Sequence, residues 1–445
     1  MKRSVITALI LTFTITMNGQ KKWTLKDCID YAMQNNITLQ QSRLQKQSAT
    51  EDRKQSHAAL FPSLSASTNQ SVGYRPWLSS GMTTVTNGTV NTKVNKTYYN
   101  GTYGINASWT VWNGNQNRNQ VKLNEVSEEQ AELNIAETAN SIQEKIAQLY
   151  VQILYMNEAI KVSKESLETS KKNEARGKEI MEVGRMSKAD LAQLTAQRAT
   201  DEYNIVEAES NLANYILQLK QLLEITSEEP FDIEIPAYSD EQALAEIPSL
   251  GSVYEHALTY RPEIRNSELG LKSSDLKMKI AKAGHMPTIS MTSGVATNTG
   301  SMSSNEWGNQ MKTNLDASLG ASVSIPIFDN RKTKTAINKA KIQHEQALLD
   351  IQDKQKQLYS TIEGYWLDAN TNQQKFKAAL STVASEQASF DLLTEQFNVG
   401  LKNIVELLMG KDKLLNAQQN RLQSKYMTIL DQQLLRFYKG EDMNL

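Results

Sequence analysis

The sequence is poor in cysteine, in proline where proline would interrupt helices, in long apolar runs, and in excess charge of either sign. Cys28 is the single cysteine in 445 residues, which excludes a disulfide framework within one chain. Lys and Arg number 48 against 49 Asp and Glu, for a net charge of −1. That balance argues against nucleic acid as a partner and against electrostatic adsorption to a membrane. Only 39% of the residues are hydrophobic, and Asn, Gln, Ser and Thr rather than charges fill the deficit. Neither a large compact globule nor a charged disordered chain fits that balance. Beyond the first twenty residues no window approaches about 18 consecutive apolar residues, so no transmembrane helix is expected. If this chain crosses a membrane, it does so with strands.

Reactive chemistry is also missing. The four histidines, His57, His256, His285 and His344, have no Cys or His neighbours at ligand spacing. No phosphate-binding loop, Gly-rich dinucleotide turn, nucleophile elbow or HExxH motif occurs. The expectation is a protein that is not an enzyme, with no cofactor and no metal. His57 and His285 fall at matching ends of two helical segments, where a surface or interface role is expected, and His344 falls on a helix seam as a packing feature.

What is present begins with Met1-Lys2-Arg3, an apolar run from Val5 to Met17 interrupted only by threonines, and Asn18-Gly19-Gln20. This is the layout of a secretory signal peptide over 1–20, too short to span a bilayer as a mature helix. No cysteine follows that would take a lipid anchor. Cys28 sits in a helical pattern, Leu25 to Ala32, and is expected to be a small buried apolar residue.

The chain is written twice. Leu60-Phe61-Pro62-Ser63-Leu64-Ser65 returns as His285-Met286-Pro287-Thr288-Ile289-Ser290, and the same shift carries Leu25 onto Leu250, Ala32 onto Ala257 and Leu39 onto Ile264. Further on, Tyr150 lies over Trp366, and Val183-Gly184 over Val399-Gly400. The boundaries expected are a first repeat at 24–222, a Pro- and acid-rich linker at 223–248, a second repeat at 249–437 and a tail at 438–445.

None of the eight prolines lies between 77 and 229 or after 326. Because an interior proline costs a helix about 3 kcal/mol, long helices can occupy these stretches. Ala139, Ile142, Ile146, Leu149, Ile153, Met156 and Ile160 alternate steps of three and four, a coiled-coil seam. The spacing predicts a helix over 114–181 and its repeat partner over 330–397, the latter with Leu348, Ile351, Leu358, Ile362, Tyr365 and Ala369 in register. Shorter helices follow each, seamed by Leu212, Ile216, Leu219 and Leu223 and by Met427, Leu430, Leu434 and Phe437. A leading helix is expected before each strand pair, over 24–60 and 249–284.

Between the helices the period changes to two. Leu315, Ala317, Leu319, Ala321, Val323, Ile325 and Ile327 alternate with small polar residues, as do Tyr103, Ile105, Ala107, Trp109 and Val111. One apolar and one polar face suits a soluble half-buried sheet, and it equally suits a barrel strand facing lipid. Four strands cannot close a transmembrane barrel, which needs about eight. Two chains would supply eight strands and three would supply twelve.

Each long helix ends in a similar turn: Val183-Gly184-Arg185-Met186-Ser187, then Asp190, and Val399-Gly400-Leu401-Lys402-Asn403, then Glu406. Gly184 and Gly400 stand where a helix stops in the left-handed region, and Ser187 and Asn403 cap the next helix. These turns, the two-fold repeat, the proline-opened strands and the Leu25 to Asn36 motif together resemble the outer-membrane efflux channels of the TolC family, over roughly 24–437. The resemblance implies a homotrimer, mainly α with β. Its helices would form a coiled-coil barrel in the periplasm, and four strands per chain would form a β-barrel in outer-membrane lipid.

It further implies a passive exit duct of a tripartite efflux or type I secretion system, energised by an inner-membrane transporter and joined to it by a periplasmic adaptor protein. The linker would lie at an equatorial belt, with loops 75–100 and 299–313 facing outward. Val183, Gly184, Arg185, Ser187, Val399, Gly400, Leu401 and Asn403 would make the adaptor-contacting tips. The family's pore gate falls by position on Asp190, Phe397, Lys402, Glu406 and Met409. Lys402 stands where the family has Arg, Phe397 where it has Tyr, and Met409 where it has a second acid. A weaker latch and a single ring of Glu406 are expected. Two other readings compete: a secreted coiled-coil structural protein, and the adaptor itself, which should carry one hairpin rather than two equal copies.

Overall fold

The computed structural model describes residues 22–77, 81–85, 88–92, 96–226, 231–236, 238–301, 303 and 305–443. The expected signal peptide lies outside the described residues. In chain order the first half runs α1 (Leu25–Asn35), α2 (Ile37–Ala58), β1 (Ser63–Tyr74), β2 (Gly81–Val85), β3 (Gly88–Thr92), β4 (Thr97–Trp112), α3 (Gln116–Glu182), α4 (Lys188–Leu222) and α5 (Asp240–Ala243). The second half runs α6 (Leu250–Tyr260), α7 (Pro262–Ala283), β5 (Thr288–Gly300), α8 (Trp307–Thr313), β6 (Asp316–Ser324), α9 (Lys332–Asn398) and α10 (Ile404–Lys439). Both α3 and α9 are 67 residues long, as the proline-free stretches lead one to expect. Among the described residues no helix is long and apolar enough to cross a membrane.

The leading helices are not continuous. Asn36 and Arg261, which correspond in the repeat, are both extended (ψ 125° and 129°) and split the expected helices into α1 and α2 and into α6 and α7. Pro262 explains the second break, since a residue before proline is pushed out of the α region. At the first, the Asn36 side chain accepts from the Leu39 N–H at 3.1 Å, starting α2 as a cap, and donates to the Leu222 carbonyl at 2.9 Å.

The chain divides into two compact units. One consists of residues up to Gln41 with Ile135–Arg261 and Gln355–Leu445. Its core lies along the heptad-like seams: Ile142, Ile146, Ile153 and Ile160 of α3, Leu358, Ile362 and Ala369 of α9, and Leu430 and Leu434 of α10 are all buried. Cys28 is fully buried, as expected of a small apolar residue. The segment before α6 is pinned to this helical core. Glu234 O accepts from the Tyr150 hydroxyl at 2.7 Å, Gln373 donates to Ala243 O and Ala245 O, and Lys425 and Arg421 pair with Asp240.

The other unit consists of Ser42–Asn134 and Pro262–Lys354. Its four-stranded antiparallel sheet has the order β1-β4-β5-β6, leaving β1 and β6 at the edges. The pairing sets Leu64, Ala66, Ile105, Ala107, Met291, Val295, Leu319 and Val323 on one face. Ser65, Ser67, Asn106, Ser108, Thr292, Ser318 and Ser322 share the other. The apolar face is open: Leu64 and Leu319 are each 75% exposed.

Two details depart from strict alternation. A bulge between Thr110 and Trp112 puts Trp112, not Val111, opposite Ile289. On β6 the strand stops at Ser324 rather than reaching Ile327, because Pro326 has no N–H for a ladder. The expected outward loops carry structure of their own: the β2–β3 hairpin in the first and α8 in the second. In this unit His57 Nε2 lies 3.5 Å from Glu125 Oε1. His344, expected on the α9 seam, meets α7 through Ser274 and Asp275 at 3.1 and 3.2 Å. Leu348 of that seam is 44% exposed, whereas Leu358, Ile362 and Ala369 further along it are buried.

Candidate functional site

The two helix-to-helix turns are built alike. In the first, Gly184 has φ 75°, its N–H donates to Met181 O at 2.9 Å, and the Arg185 N–H donates to Ile180 O at 3.0 Å. In the second, Gly400 has φ 80°, its N–H donates to Phe397 O, and the Leu401 N–H donates to Gln396 O. Both are Schellman endings, which satisfy the last carbonyls of a helix and require a residue tolerant of positive φ. The chain then reverses directly into α4 and α10.

Capping differs between the turns. Ser187 Oγ accepts from the Asp190 N–H at 3.0 Å. Asn403 and Glu406 form a full capping box, with the Glu406 N–H donating to Asn403 Oδ1 at 2.9 Å and the Asn403 N–H to Glu406 Oε2 at 3.3 Å. The other Glu406 oxygen accepts from Lys402 Nζ at 2.6 Å. Lys402 first, and the Asn403 N–H second, hold the Glu406 carboxyl below its usual range. Within the chain, then, Lys402 is engaged by Glu406 of its own turn, whereas the family resemblance pairs that position with the acid at Asp190.

The tips present apolar side chains to solvent. Val183, Val399 and Leu401 are 69%, 67% and 76% exposed, and Val405 and Met409 on the first turns of α10 are also exposed. A Cβ added at Gly184 or Gly400 would meet nothing within 4 Å. Beneath them Leu194 of α4, Phe390 of α9 and Ile404, Leu407 and Leu414 of α10 form a buried cluster, with Met186 and Phe397 packed against it. Phe397 is thus a half-buried support of the second turn, and the cluster joins the two hairpins just behind their tips.

Next to this cluster lies a group that the sequence reading passed over. Lys411 Nζ, 3% exposed, sits 2.5 Å from Oδ2 of Asp201, 4% exposed, and the Ser170 hydroxyl donates to the same oxygen at 2.6 Å. Gln197 bridges Asp201 Oδ1 and Asp412 Oδ1 at 3.1 and 3.3 Å. Burial pushes the Asp412 carboxyl up from its ordinary value. The signal was in the spacing: Ile404, Leu407, Lys411 and Leu414 step by three and four, as do Leu194, Arg198, Asp201 and Ile205. Charges that fall on otherwise apolar seams need a partner when buried, and here the packing pairs Lys411 with Asp201.

Among the described residues no cluster of His, Cys, Asp and Glu could hold a metal ion. The two tips thus combine exposed apolar turns with a buried apolar cluster and a buried charged pair behind them.

Comparison with known proteins agrees with this geometry. A family profile described as outer membrane efflux protein matches residues 28–223 and 253–441, once on each half of the chain. The outer membrane efflux protein BepC of Brucella suis is 23% identical over 434 residues, covering 96% of this chain and 88% of that protein. Outer membrane protein TolC of Escherichia coli is 26% identical over 261 residues, 56% of this chain and 51% of that one. Among solved structures, CusC superposes with a TM-score of 0.80 at 18% identity, covering 94% of this chain and 92% of that chain. At that identity the likeness concerns the fold.

Proposed function

The chain belongs to the outer membrane efflux protein family, and from that premise we propose that three copies form a passive exit duct through the outer membrane. The strands of the three chains close a twelve-stranded barrel and the helices enclose a periplasmic tunnel. Cargo enters from an energised inner-membrane pump through a periplasmic adaptor, in an efflux or type I secretion system. The chain is a conduit and not an enzyme.

The observation that carries this reading is the sheet. Four strands with two open edges, one apolar face exposed to the extent of 75% at Leu64 and Leu319 and one face of Ser, Thr and Asn, make an incomplete structure in water. Open edges and a bare apolar face are a liability that closure with other copies in lipid removes. The polar face then lines an aqueous lumen.

The turns take the adaptor. Val183, Gly184, Arg185 and Ser187 with Val399, Gly400, Leu401 and Asn403 present a small, exposed, largely apolar surface suited to helical hairpins of a partner. Asp190, Phe397, Lys402 and Glu406 form the gate region. Because Lys402 is already held by Glu406, the link from Lys402 to Asp190 is in competition with a contact inside one turn, and the latch is weak.

Membrane fractionation and planar-bilayer recording of the protein expressed with its leader test the proposal. The expected outcome is an outer-membrane trimer with a single-channel conductance; a soluble periplasmic product without conductance overturns it and favours a secreted coiled-coil protein.

A further inference from the structure

On the apolar face of the sheet, polarity changes along the strands. From Ile289 through Met291 to Val295 the face is apolar for about 20 Å of strand at roughly 3.3 Å per residue, apart from Ser293, which lies between Ala107 and Leu319 of the neighbouring strands, close to the ~25 Å apolar band of an outer-membrane barrel. Beyond Val295 and Ile105, toward the ends that lead into the loops, the same face carries Thr297, Thr299, Tyr103, Tyr99 and Gln70. Tyr99 donates to Gln70 Oε1, and the Tyr99 and Tyr103 hydroxyls lie 3.2 Å apart. Gly101 makes room for this group, since a Cβ there would come within 2.5 Å of the Tyr99 hydroxyl and 2.9 Å of Thr299 Oγ1.

The seven-residue helix α8 is folded back onto this polar end, on the same side as the apolar band. The Thr297 hydroxyl, on that face, donates to Met311 O at 3.0 Å. The Trp307 ring stands edge-on to Tyr103, centroids 6.2 Å apart. Gln310, 6% exposed, accepts from the Gly300 N–H at 2.7 Å and donates to Asn305 O at 2.6 Å, and Asn314 donates to Asn298 O at 2.8 Å. Trp307 is nevertheless 55% exposed, and Lys312 is exposed beside it.

We propose that α8 is an interfacial anchor that lies outside the barrel wall and seats Trp307 in the headgroup layer of the outer leaflet. The inference rests on the channel reading, because the apolar face must meet lipid. Its partner is a lipid surface, identified by continuity: the helix sits where the apolar band ends and an aromatic and polar zone begins, the level at which Trp and Tyr concentrate in membrane proteins. Lys312 adds a cation able to meet phosphorylated headgroups. A loop held against the wall in this way fixes the height of the barrel in the bilayer and keeps the β5–β6 connection out of the mouth of the pore.

Depth-dependent quenching of tryptophan emission tests the proposal in trimers reconstituted into phosphatidylethanolamine and phosphatidylglycerol vesicles. The Trp307 component is the difference between the native protein and Trp307→Phe. It is expected to be quenched roughly twofold more by lipids brominated near the headgroup than by lipids brominated deep in the chains. Gln310→Ala, which unpins α8, is expected to abolish that quenching and expose Trp307 to aqueous iodide. Leu319→Trp marks the apolar band, and its emission is expected to respond to deep bromines. A Trp307 component open to iodide and insensitive to all brominated lipids, with Leu319→Trp quenched deep, overturns the anchor and leaves the barrel standing. Leu319→Trp insensitive to lipid overturns the barrel reading and the anchor with it.

Discussion

Lys411 of α10 and Asp201 of α4 form a buried ion pair, Nζ to Oδ2 at 2.5 Å, that links the two helical hairpins of one chain behind their tips. Lys411 stands on a seam with Ile404, Leu407 and Leu414, and Asp201 on one with Leu194, Arg198 and Ile205; of these two charges each neutralises the other where both are buried. Ser170 donates to the same carboxylate, so the pair draws in α3 as well. A pair of this kind contributes more to register than to stability, since desolvation offsets most of its attraction.

Removing one partner is therefore costly. Lys411→Met is expected to destabilise the protein by about 3–5 kcal/mol, because Asp201 is left buried and unneutralised. Combining it with Asp201→Leu should restore most of that loss. Chemical unfolding of the detergent-solubilised variants reads both; a double variant as unstable as the single one would show that the pair is not the source of the effect.

The tips should separate docking from folding. Leu401→Asp changes a side chain that is 76% exposed and leaves the buried cluster untouched, so thermal stability is expected to hold while co-purification with the adaptor falls. Gly400→Ala acts on the backbone instead: φ 80° costs an alanine about 1–2 kcal/mol even though its Cβ has open space. Adaptor binding that survives Leu401→Asp would remove this turn from the docking surface.

Glu406 carries the gate prediction. Glu406→Gln keeps the capping box with Asn403, which Gln can also complete, and removes the charge. Block of the conductance by multivalent cations is expected to weaken. Lys402→Ala should do the opposite, since Lys402 donates directly to the Glu406 carboxylate and masks part of its charge. Unchanged block in both variants would rule out a ring of Glu406 at the constriction.

Much of this molecule was legible in the sequence because its signals are local and repeated. The helices α3 and α9 began two residues after the positions that proline spacing and seam period indicate, and Gly184 and Gly400 adopt the positive φ that their turn pattern requires. What escaped was decided by a single residue or by tertiary contact. Pro262 and the Asn36 side chain break helices whose apolar pattern runs on, and Pro326 ends β6 while alternation continues to Ile327. The Lys411–Asp201 pair has a readable spacing, but only the packing of α4 against α10 shows that the two charges meet. The fold of α8 onto β5 depends on Gln310 and Thr297 reaching backbone groups, a contact without a sequence period.

Stability should also depend on pH through Asp431. Burial in α10 pushes its carboxyl up to about 7, against a hydrogen bond from Asn372 that favours the charged form, with Asp368 of α9 raising it further. An acid raised on folding binds more protons in the native state than in the unfolded state, so stability falls as pH rises from about 4, the unfolded value, to about 7. The full penalty is present above that range, and a shift of this size corresponds to a few kcal/mol, on the order of 1.4 kcal/mol per pH unit. Asp431→Asn removes the titration while keeping an oxygen for Asn372. It is expected to raise the melting temperature at pH 8 and to change it little at pH 4, measured by thermal unfolding of the trimer at both values. A gain of equal size at the two pH values would show that Asp431 stays in one ionisation state across the range.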